Sequence, residues 1–316
     1  MKKIMLFFLL CVSTTYSQIS GCTDSLAENF SPNATVNDGS CRYTFTKIKP
    51  ESTQKLSDSL VETSGLVAFD NLLWTHNDDH DTNIYGLDLN GKIKNKIKLE
   101  NAVNTDWEEI SQDSSYLYVG DFGNNYRGNR PDLHILRIEK KSFLLNKPVV
   151  DTISFSYSNQ SDFSNQKPNS TDFDCEAFIV SQDSIYLFTK QWSINKSSVY
   201  TLPKIPGNYI AQFKETLNVD GLITGATMTP KNEIVLCGYT KKFTTFLYLV
   251  YDLKKFDFAT ANQRRINISL TYHQIEGITT SNGKQFFISN ESFMKKPIIN
   301  NPQQIHTFDL SSYLKL

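Results

Sequence analysis

Five stretches of this chain follow one plan. A chain that repeats itself in this way buries its apolar faces by stacking like units against one another. The stretches open at Ser64, Glu108, Glu176, Thr224 and Glu276, with successive openings 44, 68, 48 and 52 residues apart. Each opening is a polar residue, followed in most units by a small one, as in Ser64-Gly65 and Glu276-Gly277. A short strand and a tight turn such as Ser281-Asn282-Gly283-Lys284 come next, then a strongly apolar strand, a polar loop and a third strand. A fourth, outer strand is predicted at 92–99, 149–157, 212–217 and 265–271. The last unit lacks one of its own, so a strand around 43–49 is expected to complete it and leave no free edge. The one long spacing contains a linker at 158–174 rich in Asn and Ser. Helix signals are nearly absent. The reading is an all-β chain, a five-bladed β-propeller. A β-sandwich of similar strand density would not repeat the same opening five times.

Composition sets the partners and the compartment. Apolar residues make up 39% and aromatics 12%, enough for a real core. Lys plus Arg is 32 and Asp plus Glu is 33, so no basic excess points to nucleic acid. Residues 1–17 begin Met1-Lys2-Lys3, continue with an apolar run over 4–12 and end in small residues, the pattern of a signal peptide. That run is too short to span a bilayer, and Leu10 before Cys11 is too large for a lipoprotein signal. The expectation is a secreted, periplasmic or cell-envelope protein with no transmembrane segment.

Residues 18–43 form a separate part. Cys22 and Cys41 bracket a segment with too few apolar residues for a core, so a disulfide is expected to staple it. Asp24, Asn29, Asn33, Asn37 and Asp38 lie in that loop, either as oxygen ligands for Ca²⁺ or as a solvated turn-rich surface. The propeller takes residues 44–316. Cys175 and Cys237 are either buried thiols or a second bridge.

In a propeller the first strand of each blade lines the central axis. The opening residues Ser64, Glu108, Glu176, Thr224 and Glu276 would then face one another. Three carboxylates in a narrow channel repel and take up protons unless a cation is present. Three Glu and two hydroxyls form an all-oxygen set that suits Ca²⁺, the cofactor expected here. Glu109 alternates to the opposite face and is expected to point into the sheet or to a partner that supports the ion's ligands. The second strands return to the mouth of the channel. Their loops bring Asn77, Asn124, Asn125, Arg130, Lys190, Tyr239 and Asn290 there as candidate ligand-binding residues, with Trp74, Trp107, Trp192 and Phe122 as candidate stacking surfaces, core packing being the favoured reading for Trp74 and Trp107.

Two propeller resemblances follow from quoted residues. The motifs Ser64-Gly65-Leu66, Trp74-Thr75-His76-Asn77-Asp78, Asp106-Trp107-Glu108-Glu109-Ile110 and Gly120-Asp121-Phe122-Gly123-Asn124-Asn125 resemble a group of exported bacterial propeller proteins without an established activity. So do Asp174-Cys175-Glu176-Ala177-Phe178 and Leu187-Phe188-Thr189-Lys190. The order Ser, Glu, Glu, Thr, Glu, with Trp107-Glu108 and 117–120, is similar to the calcium-dependent apyrase family. That resemblance implies Ca²⁺ at the five opening positions; the nucleotidase activity does not carry over with it. Residues 21–43 resemble a short module that recurs in secreted bacterial proteins.

The functional expectation is a binding or interaction protein with a structural Ca²⁺ and an unknown small molecule, glycan or envelope partner. The alternative is a Ca²⁺-dependent hydrolase of phosphoanhydrides or esters. In it, Asp78 or Asp121 would handle a water, and Lys190 and Arg130 would hold an anionic oxygen. His76 and His80 read as turn residues.

Overall fold

The computed structural model describes residues 18–314; the expected signal peptide lies outside the described residues. The chain is an all-β propeller. Its main sheets have eight, five, four and four strands, and within them the antiparallel pairings group the described strands into successive units. Unit one is Thr63–Phe69, Leu72–Asn77, Asn83–Leu87 and Ile93–Lys98; unit two is Trp107–Gln112, Tyr116–Asp121, His134–Glu139 and Val150–Tyr157. Unit three is Asp174–Val180, Ser184–Lys190, Ser197–Pro203 and Gly207–Leu217; unit four is Leu222–Met228, Ile234–Tyr239, Thr245–Tyr251 and Asn262–Ile268. Unit five is Ile275–Thr280, Gln285–Asn290 and Gln304–Asp309, completed by Ser52–Lys55 from the other end of the chain. The first strands of neighbouring units pack on one another in cyclic order, unit five returning to unit one.

The hydrophobic pattern explains this stacking. Middle strands such as Thr245–Tyr251 are buried along their whole length, because a neighbouring unit covers each face. Outer strands such as Val150–Tyr157 alternate between buried and open positions. The core is divided into layers between units. Trp74, Trp107, Ile110 and Phe143 fill the layer between units one and two. Phe188 and Val199 meet Ile234, Leu236 and Phe246 between units three and four, and Leu73 and Tyr85 meet Phe287 and Ile305 between units five and one. Each such side chain contributes roughly 1.5–3 kcal/mol through burial. Trp74, Trp107 and Phe122 are fully buried here, so none of the three offers a stacking surface.

The closure differs from the expected one. The strand that completes unit five is Ser52–Lys55, while Lys47–Ile48 pairs in parallel with the outer strand of unit four. The reason lies just upstream. Tyr43 donates to Asp24 and lies 3.3 Å from the Tyr251 hydroxyl, and Asn37 donates to the Ala261 carbonyl. These bonds hold the N-terminal segment on unit four, and the chain reaches unit five only later. A second feature has no counterpart in the repeat. The outer strands of units two and three pair in parallel, Ile153 opposite Gly207 through Tyr157 opposite Ala211, and fuse the two units into one eight-stranded sheet.

Cys22 and Cys41 form a disulfide, while Cys175 and Cys237 are separate buried thiols. Four of the module's five candidate residues have their oxygens occupied. Asp24 accepts from the Leu26 amide and from both tyrosines; Asn29 accepts from the Arg42 amide; Asn37 accepts from the Gly39 amide; Asp38 accepts from the Ser40 amide.

Candidate functional site: an acidic pocket on the axis

The opening residues sit on β-bulges. In unit two, Gly120 pairs with Glu109 and Asp121 with Trp107, which leaves Glu108 out of the ladder. Glu176, Thr224 and Glu276 are skipped in the same way in units three, four and five, and unit one shifts register just after Ser64. A bulge places two successive residues against one partner and re-aims the extra side chain. This overturns one of the two readings of Glu109, the one that turns it into the sheet. Strict alternation would turn it into the sheet. The bulge lets it face the axis directly after Glu108.

Glu109 reaches across the axis and accepts from three backbone amides: Ile110 at 3.0 Å, Leu66 of unit one at 3.3 Å and Ala226 of unit four at 2.8 Å. The equivalent positions in the other units are Gly65, Ala177, Gly225 and Gly277. Their small size makes room for this one carboxylate. A Cβ on Gly65, which has φ +62°, would lie 2.6 Å from the Ile110 nitrogen. Burial raises the pKa of Glu109 well above the usual carboxylate range, against the pull of its three amides.

Above Glu109 lies a cavity of about 200 Å³ lined by Ser64, Glu108, Glu176 and Glu276. Four of the five opening positions therefore meet there. Thr224 does not line it. Its hydroxyl donates to the Ile275 carbonyl of unit five, much as Ser64 donates to the Glu108 carbonyl at 2.6 Å. These hydroxyls tie neighbouring inner strands together. From the loops come Asp78, Asp106 and Glu291, with Asn125, Asn169, Gln274 and Trp192, and from strand ends come Tyr239 and Lys190. Six carboxylates thus face one ammonium.

The electrostatics follow from that ratio. Burial, then neighbouring carboxylates, raise Glu108 and Glu276 well above their usual range; burial also raises Glu176, even with Lys190 beside it. Burial, then Glu62, Asp79 and Asp106, push Asp78 up to about 7. Glu291 rises to about 8 and Asp106 to about 6, again chiefly through burial. Burial works against the Lys190 charge, but Glu176 outweighs it and the pKa rises. The Lys190 ammonium is 2.6 Å from Glu176 Oε2. Among the described residues, three buried carboxylate oxygens have no hydrogen-bond partner: Glu176 Oε1, Glu276 Oε2 and Asp78 Oδ1. At one side of the mouth, one oxygen each of Glu62, Asp78 and Asp79 lie within 4.8 Å of one another.

Counted from the bulges, Asn77, Asp121 and Asn290 are level with Thr189 and Gly238, whereas Lys190 and Tyr239 lie one residue further, level with Asp78, Phe122 and Glu291. Lys190, Tyr239, Asp78 and Glu291 line the pocket. Asn77, Asp121 and Asn290 anchor loops instead. Asn77 donates to the Ser59 carbonyl, and Asn290 donates to the Pro302 carbonyl and bonds His306. Asp121 is buried and accepts from Arg130 at 2.7 Å and from the Thr105 amide. Arg130 also donates to Asp132 and to the Gly123 carbonyl, outside the pocket. Asn124 donates to the Phe173 carbonyl and accepts from the Arg130 amide; its neighbour Asn125 lines the pocket.

Asp106, Glu291, Asn169 and Gln274 escaped the sequence-based site. Asp106 and Glu291 had a signal: each adjoins a repeat position, two before Glu108 and one after Asn290. Gly123 had one too. A Cβ there would lie 2.2 Å from Glu108 Oε1 and 2.3 Å from Asp106 Oδ2, so only glycine leaves both carboxylates in place. Trp192 is the candidate aromatic that reaches the pocket, its indole N–H held by Asp174 at 2.7 Å.

No family model and no curated protein matches the chain. Among solved structures it is similar to a calcium-binding regucalcin from Agrobacterium tumefaciens, at 10% identity over 84% of this chain and 96% of that one, TM-score 0.44. It is also similar to the PQQ-bound aldose sugar dehydrogenase from Streptomyces coelicolor, at 10% identity over 81% and 98%, TM-score 0.43. A gluconolactonase from Xanthomonas campestris matches at 10% identity over 81% and 88%, TM-score 0.42. These similarities concern overall shape and leave the chemistry to the residues of the pocket.

Proposed function

We propose that this chain is an exported five-bladed β-propeller, residues 44–316, that holds a divalent cation in its axial pocket and binds a ligand on the surrounding loops. The cyclic packing of the five inner strands supports the blade count. The Cys22–Cys41 disulfide suits an oxidising, exported environment, and no described helix is long and apolar enough to cross a membrane. The observation that carries the cation is the trio of partnerless buried oxygens on Glu176, Glu276 and Asp78. A buried carboxylate oxygen without a donor is costly unless a proton or a cation satisfies it. The donors are all oxygen, which selects a hard ion, and Ca²⁺ accepts the irregular spacing that Mg²⁺ does not. Glu108, Glu176, Glu276 and Asp78 would hold it, with Ser64 beside them. Its role there is to neutralise the pocket and order the loops.

The pocket is smaller than most sites for drug-sized ligands and holds about seven water volumes, so it takes an ion or the end of a larger ligand. Trp192 at the mouth, with the Asn125 and Asn169 amides, suits a glycan or other small polar molecule, free or on an envelope partner. The hydrolase reading rests on Asp78, whose pKa of about 7 suits a general base. Against it, both groups expected to hold an anion are committed, Lys190 to Glu176 and Arg130 to Asp121, and six carboxylates oppose a phosphate. Binding is the better reading. Calorimetric titration with CaCl₂ tests it: one ion per chain is expected, and no heat or melting shift with Ca²⁺ ends it. Calcium-dependent release of phosphate from nucleotides would restore the hydrolase.

A further inference from the structure

The cation site already contains a cation. Lys190 ends the second strand of unit three, and its ammonium lies 2.6 Å from Glu176 Oε2 and 5.6 Å from the ring centres of both Trp192 and Tyr239. The residue is 4% exposed. Nothing in the repeat supplies another positive charge there; the positions equivalent in register are Asp78, Phe122, Tyr239 and Glu291. The site for a divalent ion and the seat of this ammonium share Glu176. Two cations that close in a low-dielectric pocket repel strongly, so both do not sit there at once. Lysine suits an exchange of this kind. Its charge is a compact point on a flexible four-carbon stem, and the faces of Trp192 and Tyr239 line a path along which that stem slides toward the mouth.

We propose that Lys190 is a tethered competitor: it occupies the axial pocket when the divalent ion is absent and swings out toward Trp192 when the ion enters. This rests on the cation reading above and adds two consequences to it. The first is a weak site. Part of the ion's binding energy goes into expelling the ammonium, which places the affinity near the 10⁻⁴–10⁻³ M range of extracellular Ca²⁺ modules. The second is a change at the mouth. Ion entry moves a positive charge from the floor of the pocket to its rim, so the loop face differs between the two states.

The test uses the full exported chain, CaCl₂ as the probe and constant ionic strength. Lys190→Met keeps the apolar stem and removes the charge. It should bind Ca²⁺ at least about tenfold more tightly than the native chain, because no competitor has to leave. Lys190→Gln gives a second uncharged variant if the methionine does not fold. The native chain should also show a Ca²⁺-dependent change in Trp192 emission as the ammonium moves over the indole. Trp192→Phe should lose that change, and Lys190→Met should lose it while binding more tightly. Equal or weaker affinity in both uncharged variants, or an unaltered Trp192 signal in the native chain on Ca²⁺ binding, overturns the competitor. Absence of binding in the native chain and both variants overturns the cation reading itself, which separates the two failures.

Discussion

Two regions of this molecule are rich in Asp, Glu and Asn oxygens, and folding treats them differently. In the loop between Cys22 and Cys41, Asp24, Asn29, Asn37 and Asp38 all accept hydrogen bonds from amides or hydroxyls. They build turns and dock the module on unit four. In the axial pocket, Glu176, Glu276 and Asp78 each keep a buried oxygen with no donor. The backbone explains the contrast. A short loop turns its amides inward, and nearby side chains cap them. An axis lined by paired strands has few amides left to give, and Glu109 has taken three of them. Oxygen-bearing residues count toward a metal site only when folding leaves them unsatisfied.

The largest test of this comparison removes the orphan oxygens. Changing Glu176 and Glu276 together to Gln keeps size and replaces two anionic acceptors by amides. Calcium affinity should fall ~100-fold or more, as expected for lost carboxylate ligands. Glu276→Gln alone should raise melting in the absence of Ca²⁺, because it removes a buried like charge and leaves the Lys190–Glu176 pair intact. Asp24→Asn with Asp38→Asn should leave calorimetric Ca²⁺ binding untouched. Equal losses from both pairs would erase the distinction between the regions.

Gly123→Ala approaches the pocket from behind. The new methyl group meets Glu108 and Asp106 at 2.2 and 2.3 Å, so both carboxylates must move. A loss of ~10-fold to 100-fold in Ca²⁺ affinity is expected, the scale of a misplaced supporting residue. Native affinity with a shifted melting temperature would mean the pocket tolerates displacement and is not organised around an ion.

The module answers to its staple instead. Cys22 and Cys41 are 19 residues apart, and opening a loop of that size by a double change to Ser costs about 3 kcal/mol. Loss should appear as faster proteolysis of residues near 18–43, with Ca²⁺ affinity unchanged. Altered Ca²⁺ binding would couple two regions that the structure keeps apart.

The repeat made the strand order, the all-β class and four of the pocket's opening residues legible, because apolar periodicity and a recurring polar-small pair survive in sequence. Three things were not. The side of the sheet that Glu109 faces depends on a bulge, which shifts alternation by one residue without any mark of its own. The closing strand depends on where Tyr43 and Asn37 dock, a contact hundreds of residues away in sequence. The presence of Lys190 inside the pocket depends on the bulges, which set Lys190 and Tyr239 level with Asp78 and Glu291, all four lining the pocket, and one residue beyond Asn77, Asp121 and Asn290, which do not. Glu62 and Asp79, which gather beside Asp78, come from a turn and a loop whose approach only the fold defines.

The smallest effect separates the regions by pH. Asp78 rises from 3.8 to about 7 and Glu291 from 4.5 to about 8. Between those values the folded chain keeps protons that the unfolded chain has released. Their contribution to stability is therefore intact below about pH 4 and is lost as pH climbs through 7 to 8. Asp38, on the module, moves the other way: its bonds from Ser40 hold its pKa below 3.8, so its contribution is present above that value and fades in acid. Without divalent ions, a variant carrying Asp78→Asn and Glu291→Gln should melt a few degrees above the native chain at pH 8 and level with it at pH 4. Saturating Ca²⁺ should remove the native chain's deficit at pH 8, because the ion takes the place of the protons. Asp38→Asn should show no gain at pH 8 and no response to Ca²⁺. A deficit that persists in Ca²⁺ would mean that the ion does not neutralise these two carboxylates, and that the orphan oxygens on the axis are satisfied by protons alone.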